Sequence, residues 1–389
     1  MYRTLTSASS SATAAATELE ALRDFFQLET DLAPLHARWS RGDSKSNKNM
    51  AIICQALQGM RVARQDPVEC LFSFIVSSNN NITRIGNILG HWRRSYGEHL
   101  VTTDAASHTE VRSRDDPRED SVAYFAFPTL ERLAQCSKED FYAKGTPYGA
   151  GYRAPFLVNS ANKLLELGGR EFLLNLRKET APLVVREQLV SHFDGVGPKV
   201  ADCVALFSLD QAGVVPLDVH VLDIAQRDFG HTEMWQKEKT KSLTASRMAM
   251  INACFHESFG DYAGWAHSLL FAAELKVFEA HLPQTLIDEI HAFKEAKSAE
   301  KKALKAEKKA RKAAAAQQNG SGKAKAKTDG DDEKEKNRNG STTKKKNKKN
   351  TAGAARGKRI DEKKARTSRS AMDGISTVKR VKKRARKAM

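Results

Sequence analysis

From Leu22 to Phe293, apolar and polar residues interleave at three- and four-residue steps, the period of an amphipathic helix, with only brief interruptions. Strand signals are scarce. Ser73 to Ile75 lies in an apolar helix that closes on the polar run Ser77-Ser78-Asn79-Asn80-Asn81, after which Ile82, Ile85, Ile88 and Leu89 restart an apolar face. Residues 104–121 are rich in Asp, Glu, Ser and Arg and hold Pro117, which predicts an exposed loop. Pro128 and Thr129 open a further helix that turns Leu130 and Leu133 inward. The glycine-rich turn Tyr148 to Arg153 precedes a helix over 154–167, and Pro182 stands near the start of another that reaches His192. The pattern predicts a mainly α body with short connections.

Charge divides the chain. Residues 294–389 hold 34 of its 64 basic and 11 of its 47 acidic residues, so residues 1–293 carry 30 basic against 36 acidic. The basicity belongs to an appendage that lacks the aromatic and branched residues needed to offset ordering entropy. Three segments are expected: a disordered start over 1–21, a folded domain over 22–293 and a Lys/Arg-rich disordered tail over 294–389. The first part of that tail, to about residue 316, could extend the last helix as a solvated rod. The tail's basic clusters, at 308–312, 344–349 and 378–387, predict a nuclear import signal or a nonspecific nucleic-acid arm. The first 17 residues hold one Arg, no acid and much Ser, Ala and Thr, a composition shared by disordered starts and organelle transit peptides. Nuclear localisation is expected, with the mitochondrion as a second destination.

Five cysteines with no CxxC pair exclude a disulfide framework and a thiolate zinc site as expectations. Apolar runs such as 268–275 are too short to cross a bilayer, so no membrane partner is expected.

The segment Val190 to Leu209, VSHFDGVGPKVADCVALFSL, carries the most chemistry. An apolar helix runs into Asp194-Gly195-Val196-Gly197-Pro198, and a second begins near Lys199. Glycines at alternate positions let the backbone turn sharply and approach a partner, and Pro198 suits a first helical turn. Free N–H groups at such a helix start form a nest for an anion, with a DNA phosphate as the obvious candidate. Covalent catalysis at an electrophilic carbon needs a nucleophile and, where positive charge builds up, a negative charge to stabilise it. Lys199 and Asp218 supply one of each. Burial and the positive end of its helix are expected to favour the neutral amine of Lys199. Asp218 also suits an N-cap for the helix from Val219.

The stretches FFQLETDLAPLHARW, RQDPVECLFSFIVSSNNNITRI, YGAGYRA, GVGPKVADCVALFSLDQAGVVPLDVHV, AQRDF and YAGWAHSLLF run from about Leu22 to Glu274. In these the chain resembles the helix-hairpin-helix-GPD superfamily of DNA repair glycosylases, and in detail the eukaryotic-type 8-oxoguanine DNA glycosylase/AP lyases. The resemblance implies a fold of two helical lobes, a monomer, and double-stranded DNA containing oxidised guanine as partner. It implies that Lys199 attacks C1′, expels the base and forms a Schiff base that permits β-elimination, with Asp218 beside it. It places Cys203, Phe271 and His267 around the flipped base and Asn79 in the vacated stack. Arg84 and Arg153 fall on the orphaned cytosine, whose acceptors suit two guanidinium forks, and Tyr152 wedges into the strand. Gly195, Gly197, Val200 and His220 are expected on the DNA.

Two departures weigh on lesion choice. The family usually carries an antiparallel β domain ahead of FFQLE, where this chain has only about two dozen residues. A glycine carbonyl of that domain reads the protonated N7 of 8-oxoguanine. His267 stands where the family commonly has a glutamine, and imidazole cannot mimic a bidentate amide. An impaired DNA-binding protein, or an AP lyase with relaxed lesion recognition, is the alternative expectation. No cofactor is expected. An iron-sulfur cluster would need four thiolates, and Cys254 alone follows Asp218. A structural cation held by hairpin carbonyls is compatible with the motif.

Overall fold

A computed structural model describes residues 12–41, 47–104, 121–229 and 244–321. It is mainly helical, as the apolar periodicity requires. In chain order the helices are α1 (Ala12–Phe25), α2 (Leu32–Trp39), α3 (Met50–Ala56), α4 (Pro67–Ser77), α5 (Ile82–Tyr96), α6 (Leu130–Gln135), α7 (Lys138–Tyr142) and α8 (Ala154–Glu166). After these come α9 (Arg170–Arg177), α10 (Pro182–His192), α11 (Pro198–Ser208), α12 (Val219–Asp228), α13 (Ala245–Phe259), α14 (Ala263–Ala273) and α15 (Gln284–Ser321).

Polar residues set the helix starts. Asp66 caps α4 ahead of Pro67, Asn81 caps α5 by accepting from the Arg84 N–H at 2.9 Å, and Thr129 caps α6. Two hydrophobic cores form. One gathers α2, α3, α12, α13, α14 and the start of α15 around Trp39, Ile53, Phe229, Phe255 and Phe259. The other gathers α4 to α11 around Phe72, Trp92, Phe141, Leu157 and Leu189. Helix α11 serves both, with Leu206 in the first core and Val200, Ala201, Val204 and Ala205 in the second. Its N-terminus, where Lys199 sits, reaches across to Asp218 at the start of α12, whose Val221 and Leu222 belong to the first core.

Three expectations change. Residues 12–21 are not a disordered start, because α1 begins at Ala12, in a run of Ala, Glu and Leu of high helix propensity. Strand pairing, for which the sequence gives little signal, does occur: β1 (His99–Asp104) and β2 (Ser121–Phe125) pair antiparallel, from His99 opposite Phe125 to Asp104 opposite Ser121. The expected loop between them, 105–120, lies outside the described residues. Ile82, predicted inward, is 65% exposed, and the buried face of α5 starts at Ile88.

Residues Met1–Lys309 form one compact unit and Ala310–Met389 a second. Of the second, residues 310–321 are described and are helical. The last helix runs through position 294 because its lysines have partners on the body: Lys294 Nζ is 3.1 Å from Glu274 Oε2, and Lys297 pairs with Asp223. Glu274 belongs to a buried network in which its Oε1 lies 2.5 Å from Arg227 Nη1 and Arg227 pairs with Asp228. The basic clusters at 344–349 and 378–387 lie outside the described residues. No described helix is long and apolar enough to cross a membrane.

Candidate active site

The turn between α10 and α11 has the geometry its glycines predict. Gly195 adopts φ +76°, and a Cβ there would meet the Phe156 ring at 2.6 Å, so a side chain is excluded twice over. A Cβ on Gly197 would meet nothing within 4 Å, which leaves that side of the bend open to a partner. The first intrahelical bond runs from the Ala201 N–H to the Gly197 carbonyl at 2.9 Å. The amides of Lys199 and Val200 precede it and point out of the helix end, where the dipole favours an anion. The Val200 side chain is buried in the core, so only its backbone can meet DNA. Behind the turn, Arg186 clamps Asp202 of α11 bidentately, Nε to Oδ1 at 2.6 Å and Nη2 to Oδ2 at 2.9 Å.

Lys199 Nζ lies 3.5 Å from Asp218 Oδ2, with the two side chains 43% and 22% exposed. The carboxylate is divided between two tasks. Its Oδ1 accepts from the N–H groups of His220 at 2.8 Å and Val221 at 3.0 Å and so caps α12, while Oδ2 faces the lysine. Capping and facing the amine are compatible, as the sequence allowed. The burial expected to act on the Lys199 amine is not found, because the side chain reaches across the mouth of the site instead of into a core.

Cys203, one turn beyond Lys199, is buried, and burial pushes its thiol up to about 12 despite the nearby ammonium. A thiol so placed is neutral and inert. His267 of α14 is 6% exposed and neither ring nitrogen has a hydrogen-bond partner among the described residues. Burial lowers its pKa to about 4, with Asp218 opposing and Lys199 assisting that shift. One helical turn on, Phe271 lies with its ring centroid 6.0 Å from that of His267, and His220 meets the same Phe271 ring edge-on at 6.0 Å. Thus Lys199, Cys203, Asp218, His220, His267 and Phe271, scattered between positions 199 and 271, are brought together at the junction of α11, α12 and α14.

The residues expected on the orphaned strand form a second group. Asn79 is exposed and takes the left-handed conformation at φ +49°, which asparagine tolerates better than most residues. Arg84 is exposed, with one bond from Nη2 to the Gly149 carbonyl at 3.0 Å, and Tyr152 is exposed with its hydroxyl donating to the Ser78 carbonyl at 3.2 Å. Arg153 differs from expectation. It is 2% exposed, and its guanidinium donates to the carbonyls of Ser78 at 2.8 Å, Asn79 at 2.8 Å and Ala150 at 3.1 Å. Instead of facing outward, Arg153 holds the turn that presents Asn79. Sequence reasoning missed this bracing role, since nothing local separates an arginine that meets DNA from one that meets a carbonyl. It missed the Arg186–Asp202 clamp for the same reason. Among the described residues, no three His, Cys, Asp or Glu side chains cluster as a metal site would need.

Known proteins are similar to this chain over part of its length. A family model described as 8-oxoguanine DNA glycosylase, N-terminal domain, matches residues 1–71. The N-glycosylase/DNA lyase OGG1 of Arabidopsis thaliana is 37% identical over 257 residues, covering 66% of this chain and 62% of that protein. The N-glycosylase/DNA lyase of Saccharomyces cerevisiae is 37% identical over 236 residues, covering 56% and 57%. The chain thus spans about three fifths of the length of these relatives. Among solved structures, Clostridium acetobutylicum 8-oxoguanine glycosylase/lyase in complex with double-stranded DNA containing cytosine opposite 8-oxoguanine is 24% identical at a TM-score of 0.49, covering 66% of this chain and 75% of that one. Along the shared stretch, this chain is similar to the N-glycosylase/DNA lyases of Arabidopsis thaliana and Saccharomyces cerevisiae.

Proposed function

We propose that the chain is a base excision repair DNA glycosylase/AP lyase acting on oxidised purine, 8-oxoguanine opposite C above all, in double-stranded DNA. The observation that carries this is the 3.5 Å approach of Lys199 Nζ to Asp218 Oδ2 at the open mouth of the hairpin. The names of the plant and yeast relatives support the same class of reaction.

A duplex phosphate docks on the hairpin amides, and the damaged nucleotide swings out toward α14. A duplex lying over the half-exposed Lys199 strips water from it, and passing a proton to a departing water molecule frees the amine. The amine attacks C1′ as the glycosidic bond breaks and its electron pair leaves with the base. Asp218 Oδ2 stabilises the positive charge that builds on the sugar. Opening of the sugar ring gives the Schiff base. Loss of a C2′ proton then expels the 3′ phosphate by β-elimination, and water releases the lysine. Asn79, presented by the braced turn, fills the gap in the stack, and Arg84, exposed apart from its one bond to the Gly149 carbonyl, offers its guanidinium to the orphaned cytosine. Arg153 positions Asn79. The basic clusters of the tail support action on nuclear DNA.

Duplexes carrying 8-oxoguanine opposite C, an abasic site, or no damage test the proposal. Nicking of the first two but not the third is expected. No nicking of either damaged duplex contradicts it and favours a DNA-binding protein, and nicking of the abasic duplex alone favours a lyase without this lesion reader.

A further inference from the structure

The last helix runs along α12 in a fixed direction. Glu289 of α15 pairs with Lys48 at 2.5 Å, and the Lys48 N–H donates to the carbonyl of Asp228, the last residue of α12, at 3.2 Å. One turn further along α15 the Arg227 guanidinium lies 5.9 Å from the centre of the Phe293 ring, and after another turn Lys297 pairs with Asp223. Positions rising along α15 thus meet positions falling along α12, so the two helices are antiparallel. Leu286 and Ile290, buried in the first core, anchor the start of α15. Each further turn of α15 therefore moves toward the N-terminus of α12, where Asp218 faces Lys199. Lys301, about 6 Å beyond Lys297 along the helix axis, comes level with the exposed Val219 and His220. Lys305, about 12 Å beyond, passes the end of α12.

One face of α15 collects these lysines. Lys294, Lys297, Lys301 and Lys305 share about 80° of arc, and Lys302, Glu295, Glu300 and Glu307 fall outside it. Lys294 and Lys297 are bonded to Glu274 and Asp223. Lys301 and Lys305 are exposed, and neither pairs with a carboxylate among the described residues. Like charges four residues apart repel along a helix, so this row weakens α15 unless an anion lies beside it. Double-stranded DNA carries phosphates at fixed intervals along a rod, the complement of a straight row of ammonium groups.

We propose that α15 is a backbone rail for the duplex: Lys301 and Lys305, carried past the α12 N-terminus, take phosphates flanking the flipped nucleotide, on a surface separate from the hairpin amides. This rests on the reading of the chain as acting on duplex DNA. The contact is to phosphate alone and reads no sequence. The Lys294–Glu274 and Lys297–Asp223 pairs set its place, so it fixes where the duplex lies relative to Lys199 as well as how tightly it is held.

Binding of the full chain to a duplex with a non-cleavable abasic analogue, followed by anisotropy over a salt series, tests the proposal. Lys301→Gln/Lys305→Gln should weaken binding by about three- to tenfold at about 0.1 M salt and reduce the slope of log affinity against log salt by roughly 1.8, the value of two phosphates. Lys302→Gln, off the stripe, should leave the slope unchanged. Single-turnover base release at saturating enzyme should be unchanged in both variants. Lys305→Cys carrying an iron chelate, the native cysteines being buried, should cut the duplex on one side of the analogue, within about one helical turn of roughly 10 base pairs. A loss per charge from Lys302→Gln equal to that of the double variant, or cuts spread evenly along the duplex, overturns the proposal. An unchanged slope in the double variant overturns it too and assigns the stripe to an acidic protein partner. The cleavage pattern decides the matter even if the double variant folds poorly. Failure of the wild-type chain to form a borohydride adduct with an abasic duplex overturns the parent reading instead.

Discussion

At the scale of single residues, Asp218 shows how one side chain can be both structural and chemical. Asp218→Asn keeps an oxygen to cap α12 but removes the charge facing Lys199. Stability should change little, while the single-turnover rate of base release falls by about a hundredfold or more. Asp218→Ala should lose as much activity and about 1 kcal/mol of stability besides, read by urea unfolding. Equal stability in the two variants would show that the cap is idle. His267 gives a pH signature. Its pKa is about 4 folded against 6.5 in the unfolded chain, so the unfolded state binds an extra proton between those values. The stability it leaves intact is full above pH 6.5 and falls as pH drops toward 4, by at most roughly 3 kcal/mol. Between pH 7 and pH 5, His267→Gln should therefore lose less stability than wild type in urea titrations, and parallel losses would contradict this. Lys199 and Asp218 were legible in the sequence because glycine spacing and a capping position fix where they point. The inward turn of Arg153 was not legible, because three carbonyls from Ser78, Asn79 and Ala150 decide it, two of them far away in sequence.

At the scale of elements, the hairpin was the most readable part of the chain, since Gly195 and Pro198 leave its backbone few choices. Gly195→Ala adds a Cβ at φ +76° against the Phe156 ring, and should cost roughly 1–3 kcal/mol of unfolding free energy and weaken duplex binding. An unaltered unfolding midpoint would mean that the bend is slack. Asp202→Asn leaves Arg186 without its charged partner and should destabilise by roughly 1–3 kcal/mol, less than for a wholly buried pair because Arg186 is 30% exposed. The β1–β2 pair escaped sequence reading. Its burial alternates poorly, with Leu100, Val122 and Tyr124 all exposed, so it lacks the period-two signal of a strand with one buried face. The early start of α1 escaped because a Ser/Ala/Thr-rich run gives no apolar stripe.

At the scale of the whole molecule, two cores share α11, and Lys199 at its N-terminus reaches across to Asp218 at the start of α12, an arrangement no single motif specifies. The two-lobed helical class was legible, whereas the register of that junction depends on packing among helices distant in sequence. The charge split was legible as well, but residue 294 is no boundary for the structure, because Lys294 and Lys297 are bonded to the body. Removing residues 310–389 should flatten the dependence of duplex affinity on salt and leave single-turnover chemistry at saturating enzyme unchanged, whereas removing residues 294–389 should also lower stability. Equal salt slopes with and without residues 310–389 would deny the tail any part in binding. The central claim is that one amine does the chemistry, and borohydride trapping of Lys199→Ala on an abasic duplex tests it most directly. Wild type should form a covalent protein–DNA adduct and the variant, equally folded, none; an adduct of wild-type yield from Lys199→Ala would contradict the account.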